Sequence, residues 1–120
     1  MKKKTLVMGA SLNPGRYSNF AIQKLVGQNI ETVAFGSREG RVAGVEIEES
    51  LKPFKDIHTV TLYLNPDNQK PFYDYIIGLK PKRVIFNPGT ENPEFYVLLK
   101  KEGINFEVAC SLVLLSSNQY

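Results

Sequence analysis

The side chains best able to do chemistry lie close to the start of the chain, between an apolar strand-like run and a predicted helix. The run is followed by Gly9, Ala10 and Ser11. Arg16 comes next, and Ser18 is predicted to cap the N-terminus of the helix. Free backbone N–H groups and the helix macrodipole favour an anion at such a place, and a guanidinium binds phosphate through paired hydrogen bonds. The pattern therefore predicts a phosphate-binding site.

Length, charge and cysteine content limit the class of protein. The chain of 120 residues predicts a single domain over residues 1–120, which is large enough to bury a core without disulfides. Its single cysteine excludes an internal disulfide and is typical of a reducing compartment. No apolar run approaches the roughly 20 residues of a membrane helix, so we expect a cytoplasmic protein without a membrane partner. The net charge of +3 is modest and the basic residues are scattered, which argues against nucleic acid and favours a small anionic partner that contains a nucleotide.

Strand-like and helix-like segments alternate along the chain, which indicates the fold class. Predicted strands cover residues 5–8, 30–35, 58–63, 82–86 and 104–108, and an irregular polar connection covers residues 36–50. Asn65-Pro66 and Asn92-Pro93 predict two further helix starts, because asparagine caps a helix N-terminus and proline suits its first turn. The alternation predicts an α/β fold with a doubly wound parallel sheet of about five strands in the order 3-2-1-4-5.

Ligands of doubly wound sheets bind beyond the carboxyl ends of the strands, at the point where the crossovers change side. We therefore expect the loops after the first four strands to line one crevice. Besides the residues of the first loop, these loops contribute Ser37, Arg38, Leu64, Asn65, Asn87, Pro88 and Gly89.

Three features of these loops narrow the ligand. Only Gly9 is present of the glycines in the dinucleotide fingerprint, with Ser11 where the second glycine would stand. The second strand ends without the Asp or Glu that would hold the ribose of NAD, and offers Ser37 and Arg38, which suit a ribose phosphate. Arg16 can meet a second phosphate. Two separated phosphate positions indicate coenzyme A (CoA) or NADP.

The order of these motifs resembles a known family, the small single-domain CoA-binding proteins. The motifs are Gly9-Ala10-Ser11 with Arg16 and Ser18, the glycine-rich residues 36–44, and Asn87-Pro88-Gly89. The resemblance implies a Rossmann-like fold, similar to the CoA-binding domain of the succinyl-CoA synthetase α subunit. The phosphohistidine loop of those synthetases is not found here, so ligase activity is not implied.

The resemblance also implies a role for each part of the crevice in binding CoA or an acyl-CoA. Gly9, Ala10, Ser11, Arg16 and Ser18 would lie at the diphosphate. The adenosine end would lie near Ser37, Arg38 and Val42, with Leu64 and Asn65 beside the adenine or the ribose.

The sequence offers no catalytic or metal-binding group with the partners it would need. His58 is the single histidine and stands at the strand end away from the crevice. Cys110 has apolar neighbours, and Glu91 has no evident orienting partner for work as a base. We therefore expect no catalytic residue and no metal site, and a binding protein is favoured over an enzyme.

Three alternatives remain open. Arg38 also suits the 2′-phosphate of NADP in a reductase, and the Gly9–Asn19 segment also suits the phosphate of FMN in a flavodoxin-like protein. An interaction protein with a vestigial pocket is the third. The tail, residues 111–120, could cover a sheet edge in this chain or in a second copy, which leaves a homodimer open.

Overall fold

A computed structural model describes residues 3–120, which form one sheet with helices on both faces. Its strands are β1 (Thr5–Ala10), β2 (Thr32–Gly36), β3 (Gly40–Val42), β4 (Val45–Glu48), β5 (Thr59–Leu62), β6 (Arg83–Phe86) and β7 (Asn105–Val108). Its helices are α1 (Tyr17–Gly27), α2 (Pro66–Gln69), α3 (Tyr73–Leu79), α4 (Pro93–Lys101) and α5 (Ser111–Ser116), with a 3₁₀ turn at Lys70–Phe72. The predicted doubly wound α/β class, Rossmann-like, is confirmed.

The strand order differs from the predicted one. The sheet has seven strands in the order β3-β4-β2-β1-β5-β6-β7, and all neighbours are parallel except the antiparallel pair β3 and β4. The segment predicted as irregular, residues 36–50, contains this hairpin, and its β4 takes the position beside β2 that we expected for residues 58–63. Those residues instead form β5 on the other side of β1.

The two faces of the sheet bury separate apolar clusters. The face covered by α2, α3 and α4 contains the larger one, which includes Leu6, Met8, Val84, Phe86 and Phe95. The opposite face, covered by α1 and α5, contains a smaller cluster with Val7, Ile22, Leu25, Ala34 and Leu115 among its members. Alternate residues of β1 therefore enter different clusters, as the pleat of a buried parallel strand requires.

Helix starts were predicted correctly in two cases out of three. The Oδ1 atom of Asn65 accepts from the backbone N–H of Asn68 at 2.9 Å, and that of Asn92 accepts from Phe95 at 3.3 Å. The predicted cap by Ser18 is wrong. The N-cap of α1 is Arg16, and no side chain caps this helix.

The C-terminal segment returns across the α1 face of the sheet. Leu115 of α5 is fully buried there, and the Tyr120 hydroxyl lies 2.7 Å from Thr5 Oγ1. The Arg83 guanidinium stacks over the Tyr120 ring at 4.4 Å. This segment therefore packs on the sheet of its own chain.

None of the helices in residues 3–120 is long and apolar enough to cross a membrane.

Candidate functional site

The carboxyl end of β1 lies tightly against the chain that follows β5. Gly9 has a φ of +91°, and a Cβ placed there would lie 3.0 Å from the Tyr63 carbonyl carbon and 3.1 Å from the Leu64 side chain. Both the backbone conformation and the close approach therefore require glycine at this position. The register of β1 with β2 also shifts between Met8 and Ala10, which turns the strand end outward.

The loops that follow β1 and β2 touch each other; we call residues 11–16 and 36–40 the β1/β2 loops. A Cβ on Gly36 would lie 2.3 Å from the Ala10 carbonyl oxygen, and one on Gly40 would lie 2.4 Å from Leu12 Cδ2. The first contact joins the paired ends of strands β1 and β2, and the second places a leucine side chain on a glycine of the hairpin. The loops that contain the two predicted phosphate-binding segments are therefore in contact at Leu12 and Gly40.

Hydrogen bonds between residues close in the chain fix the shape of the loop between β1 and α1. The Ser11 hydroxyl accepts from the backbone N–H of Asn13 at 3.1 Å, and Asn13 Oδ1 accepts from Gly15 at 2.9 Å. The Nδ2 atom of buried Asn19 donates to the Ser11 carbonyl at 3.0 Å. No side chain of the described residues caps α1, and Asn19 N–H donates to the Arg16 carbonyl at 3.1 Å, so Tyr17 and Ser18 carry the N–H groups of the first turn that lack a helix partner.

The four arginines of the chain, Arg16, Arg38, Arg41 and Arg83, differ in whether they form salt bridges. Arg41 pairs with Glu46, and Arg83 donates to Glu107 at 3.0 Å. Within residues 3–120, Arg16 and Arg38 make no salt bridge, and both are exposed. The two arginines predicted to bind phosphates are therefore free to do so.

The loops that follow β5 and β6, residues 63–66 and 87–92, are organised differently; we call them the β5/β6 loops. Asn87 is buried, and its Nδ2 donates to Thr61 Oγ1 at 2.7 Å and to the Leu62 carbonyl at 2.9 Å. Its Oδ1 accepts from the backbone N–H of Ser111 at 2.8 Å. The amide group of this predicted site residue is thus fully engaged: its hydrogens bind β5 and its oxygen binds the start of α5.

A second buried network joins the β5/β6 loops to each other. Gln69 Nε2 donates to the Leu64 and Thr90 carbonyls, both at 2.8 Å. Its Oε1 accepts from Asn92 Nδ2 at 2.9 Å. The Thr90 hydroxyl donates to the Asn87 carbonyl at 2.7 Å, which closes the turn after β6. The polar side chains of these loops are largely engaged by the protein itself.

The remaining predicted site residues lie at the same edge with different exposures. Ser37, Asn65, Pro88 and Gly89 are exposed, whereas the Ser18 side chain is buried in the first turn of α1. Two others are partly buried: Val42 packs against the α1-side cluster and Leu64 against the opposite one. The exposed carboxylate of Glu91 accepts from the backbone N–H of Gly89 at 2.8 Å.

Sequence reasoning missed the residues that act inside the loops rather than on their surface. Leu12 and Gln69 were not singled out, although a leucine among small loop residues and a glutamine in a short helix were visible signals. Thr61 and Ser111 stand 50 residues apart, yet their hydroxyls lie 2.8 Å from each other. Such a pair becomes visible only when the fold is known.

Two titratable side chains outside the β1/β2 loops, Tyr63 and His58, have shifted pKa values. Burial raises the pKa of Tyr63 to about 12, and the nearby Thr61 and Ser111 hydroxyls offset only part of this shift. Its buried hydroxyl has no geometrically acceptable hydrogen-bond partner in the described chain. Burial first, then the positive charges of Arg83, Lys3 and Lys82, lower the pKa of His58.

Two open grooves of the molecule lie outside the predicted crevice. One, of about 620 Å³, lies at the amino edge of the sheet, and Lys3, Ile30 and Tyr120 are among its lining residues. The other, of about 660 Å³, lies between α1 and α5, with Phe20 and Leu112 among its lining residues. Neither groove is lined by a residue of the β1/β2 loops, so neither coincides with the predicted phosphate site. We give more weight to the exposed arginines and the uncapped helix, because phosphate groups bind charges and N–H groups on open surfaces.

Comparison with known proteins identifies the family. The sequence pattern of the CoA binding domain matches residues 3–116, and the chain belongs to this family of CoA-binding domains. The resemblance deduced from the residues is thereby confirmed.

Solved structures show the same fold over nearly the whole chain. An uncharacterised protein of known crystal structure is 42% identical with a TM-score of 0.96, over 100% of this chain and 99% of that one. A Thermus thermophilus protein is 23% identical with a TM-score of 0.86, over 99% and 91% of the two chains. A hypothetical protein from Pyrococcus horikoshii OT3 is 24% identical with a TM-score of 0.85, over 97% and 83%. No functionally curated protein matches this chain.

Proposed function

We propose that this protein binds CoA or an acyl-CoA through the phosphates and the adenosine, and that it does so without catalysing a reaction. The observation that carries the proposal is the contact between the β1/β2 loops, because each of these loops contains an exposed arginine, Arg16 or Arg38, that makes no salt bridge within residues 3–120. CoA has a diphosphate and a separate 3′-phosphate, so it needs two phosphate sites of this kind. Membership of the CoA-binding domain family supports the same ligand.

The diphosphate would lie over the start of α1. Because Ser18 is buried and the Ser11 hydroxyl already accepts a bond, these residues would act through backbone N–H groups. Gly9 and Ala10 would admit the ligand close to the strand end. The guanidinium of Arg16 would supply the charge, and an arginine suits phosphate because it donates paired hydrogen bonds.

The adenosine end would lie against the hairpin side of the site. Arg38 and Ser37 would bind the 3′-phosphate, and Val42 would support the hairpin from beneath. Leu64 and Asn65 would border the adenine or the ribose from the neighbouring loop. Pro88 and Gly89 would line the crevice with exposed backbone, and Asn87 would position them through its buried amide.

The proposal favours a binding protein because no described group is placed for catalysis. Residues 3–120 contain no group of three or more His, Cys, Asp or Glu side chains that could hold a metal ion. Glu91 is engaged by the turn at Gly89, and Cys110 is followed by a helix that packs on α1.

Titration calorimetry tests this function with CoA, dephospho-CoA, NADP, NAD and FMN as ligands. We expect CoA to bind most tightly, and Arg16→Ala to weaken its binding about tenfold or more, since a charge-assisted hydrogen bond is lost. Arg41→Ala is the matched control, because the Arg41 guanidinium is already paired with Glu46.

Two other results would change the assigned ligand. Binding of NADP without CoA would assign Arg38 to a 2′-phosphate and make the protein a candidate reductase. Binding of FMN, visible as a yellow preparation, would indicate a flavodoxin-like redox protein. Failure of all five ligands to bind would contradict the proposal and favour an interaction protein.

A further inference from the structure

We propose that Leu12 is a positioning residue, which sets the separation between the two phosphate sites and thereby makes the protein select ligands with a 3′-phosphate. The inference rests on the proposed function and adds a specificity determinant to it. Leu12 is not expected to bind phosphate itself, since its side chain is apolar. Its contact with Gly40 is the feature that matters.

The position of this contact in the chain is its first support. Leu12 stands four residues before Arg16, and Gly40 stands two residues after Arg38. The apolar contact of Leu12 with Gly40 thus joins the two loops within four residues of each arginine. A change in the packing of Leu12 on Gly40 would therefore shift the loop of Arg16 relative to the loop of Arg38.

Glycine is needed at position 40 because a larger side chain would collide with Leu12, and not because of the backbone conformation there. Gly40 begins β3 and pairs with Ile47 in an antiparallel ladder, where any residue type is sterically allowed. A Cβ there would lie 2.4, 2.8 and 3.0 Å from three carbon atoms of the Leu12 side chain. Because glycine has no Cβ, the Leu12 side chain can pack directly against the backbone at position 40.

Leu12 lies outside the hydrophobic core. Its role in positioning the loops can therefore be tested separately from the stability of the fold. Leu12 belongs to neither of the two buried clusters, and 37% of its surface is exposed. The surface that Leu12 buries lies outside both clusters, so Leu12→Ala leaves the two cores intact. The packing of Leu12 on the hairpin instead holds the β1/β2 loops in one arrangement before a ligand arrives, which lowers the ordering cost of binding at two points.

The test measures the ratio of affinities for CoA and dephospho-CoA, which differ only in the 3′-phosphate. We expect the wild-type protein to prefer CoA, and Leu12→Ala to reduce this preference about five- to tenfold while dephospho-CoA binds nearly as before. A merely structural loss would weaken both ligands equally. Val97→Ala is the matched control, because Val97 is an exposed apolar residue of α4.

A double-mutant cycle gives the second arm. Gly40→Ala should displace Leu12 and reduce the ratio in the wild-type background, whereas in the Leu12→Ala background it should change the ratio little. Thermal unfolding checks that each variant is folded. An unchanged ratio in both single variants, or equal affinities for the two ligands in the wild type, would overturn the inference while leaving CoA binding intact. Absence of CoA binding by the wild type would overturn the proposed function, and the inference with it.

Discussion

The β1/β2 loops and the β5/β6 loops lie at the same edge of one sheet, yet they use their polar groups in opposite ways. After β1 and β2, two arginines are exposed and make no salt bridge within residues 3–120, and no side chain of that part of the chain caps the helix that follows β1. After β5 and β6, asparagine and glutamine side chains are engaged by backbone groups, and both helices that follow are capped.

The difference shows why similar loop compositions do not imply similar roles. Buried polar groups must find partners inside the protein, so the side chains of Asn87 and Gln69 are used to build the edge. Exposed arginines have no such requirement and remain available to a ligand. We therefore propose that the β1/β2 loops bind the anion and that the β5/β6 loops provide rigid support.

The largest expected effect comes from Gly36→Ala, which disrupts the backbone contact between the β1/β2 loops. The new Cβ would lie 2.3 Å from the Ala10 carbonyl oxygen, and neither backbone segment can move without changing the β1–β2 register. We expect the free energy of unfolding to fall by more than about 3 kcal/mol. Urea unfolding measures this loss.

Gly78→Ala is the control for that experiment. Gly78 lies in α3 with nothing within 4 Å of an added Cβ. Alanine favours a helix, so this variant should gain about 0.5–1 kcal/mol of stability. Equal free energies of unfolding for the two variants would show that the close contact at Gly36 does not limit the size of its side chain.

Asn87→Ala tests the assignment of the β5/β6 loops to support. It removes three buried hydrogen bonds and leaves the Ser111 backbone N–H without its acceptor, whereas the Thr61 hydroxyl keeps its contact with the Ser111 hydroxyl. We expect a loss of about 2–3 kcal/mol in the free energy of unfolding. In folded protein at low temperature, CoA affinity should change less than about twofold, as for sites without shared partners. A large loss of affinity in that folded variant would place Asn87 in direct contact with the ligand.

A smaller effect is expected for Asn65→Ala, since the side chain is exposed and caps a short helix. Loss of the cap should cost about 1 kcal/mol, measured by urea unfolding. Asn65→Ser keeps a capping oxygen and should restore most of that stability. If CoA affinity fell in both variants, the amide of Asn65 would be a ligand contact as well as a cap.

The smallest effect concerns pH and arises at the opposite edge of the sheet. Because burial and nearby positive charges lower the pKa of His58 below its ordinary 6.5, the folded protein resists protonation there. The unfolded chain then binds more protons below pH 6.5, so stability is fully present above that pH and falls as the pH drops through this range. His58→Gln should flatten this part of the stability profile without altering CoA affinity. If His58→Gln left the dependence of stability on pH unchanged, this dependence would not arise from His58.

Much of the fold could be predicted from the sequence, because its central strands are short apolar runs between clear turn signals. All five predicted strands exist, with ends within two residues of the observed ones. The hairpin of β3 and β4 was missed because Val45–Glu48 is short and alternates apolar with acidic residues between loops. The strand order was wrong because the neighbour of β2 depends on this missed strand.

The site could be predicted only in part. The anion loop, Arg16 and Arg38 are predicted from residue types at the ends of the first two strands, and both arginines are exposed in the structure. Whether a polar side chain is free depends on partners distant in the chain, such as Thr61 and Ser111 for Asn87. The contact of Leu12 with Gly40 likewise cannot be predicted before the β3–β4 hairpin is known.

The most direct test of this division of roles is a backbone amide NMR titration of the folded protein with CoA. We predict that the largest shift changes fall at residues 11–18 and 36–40, while the amides of Asn87, Thr90 and Ser111 remain nearly unchanged. The same titration with Arg16→Ala should require more ligand to reach the same changes. The largest changes at residues 87–92, or along the groove between α1 and α5, would contradict the assignment of the ligand to the β1/β2 loops.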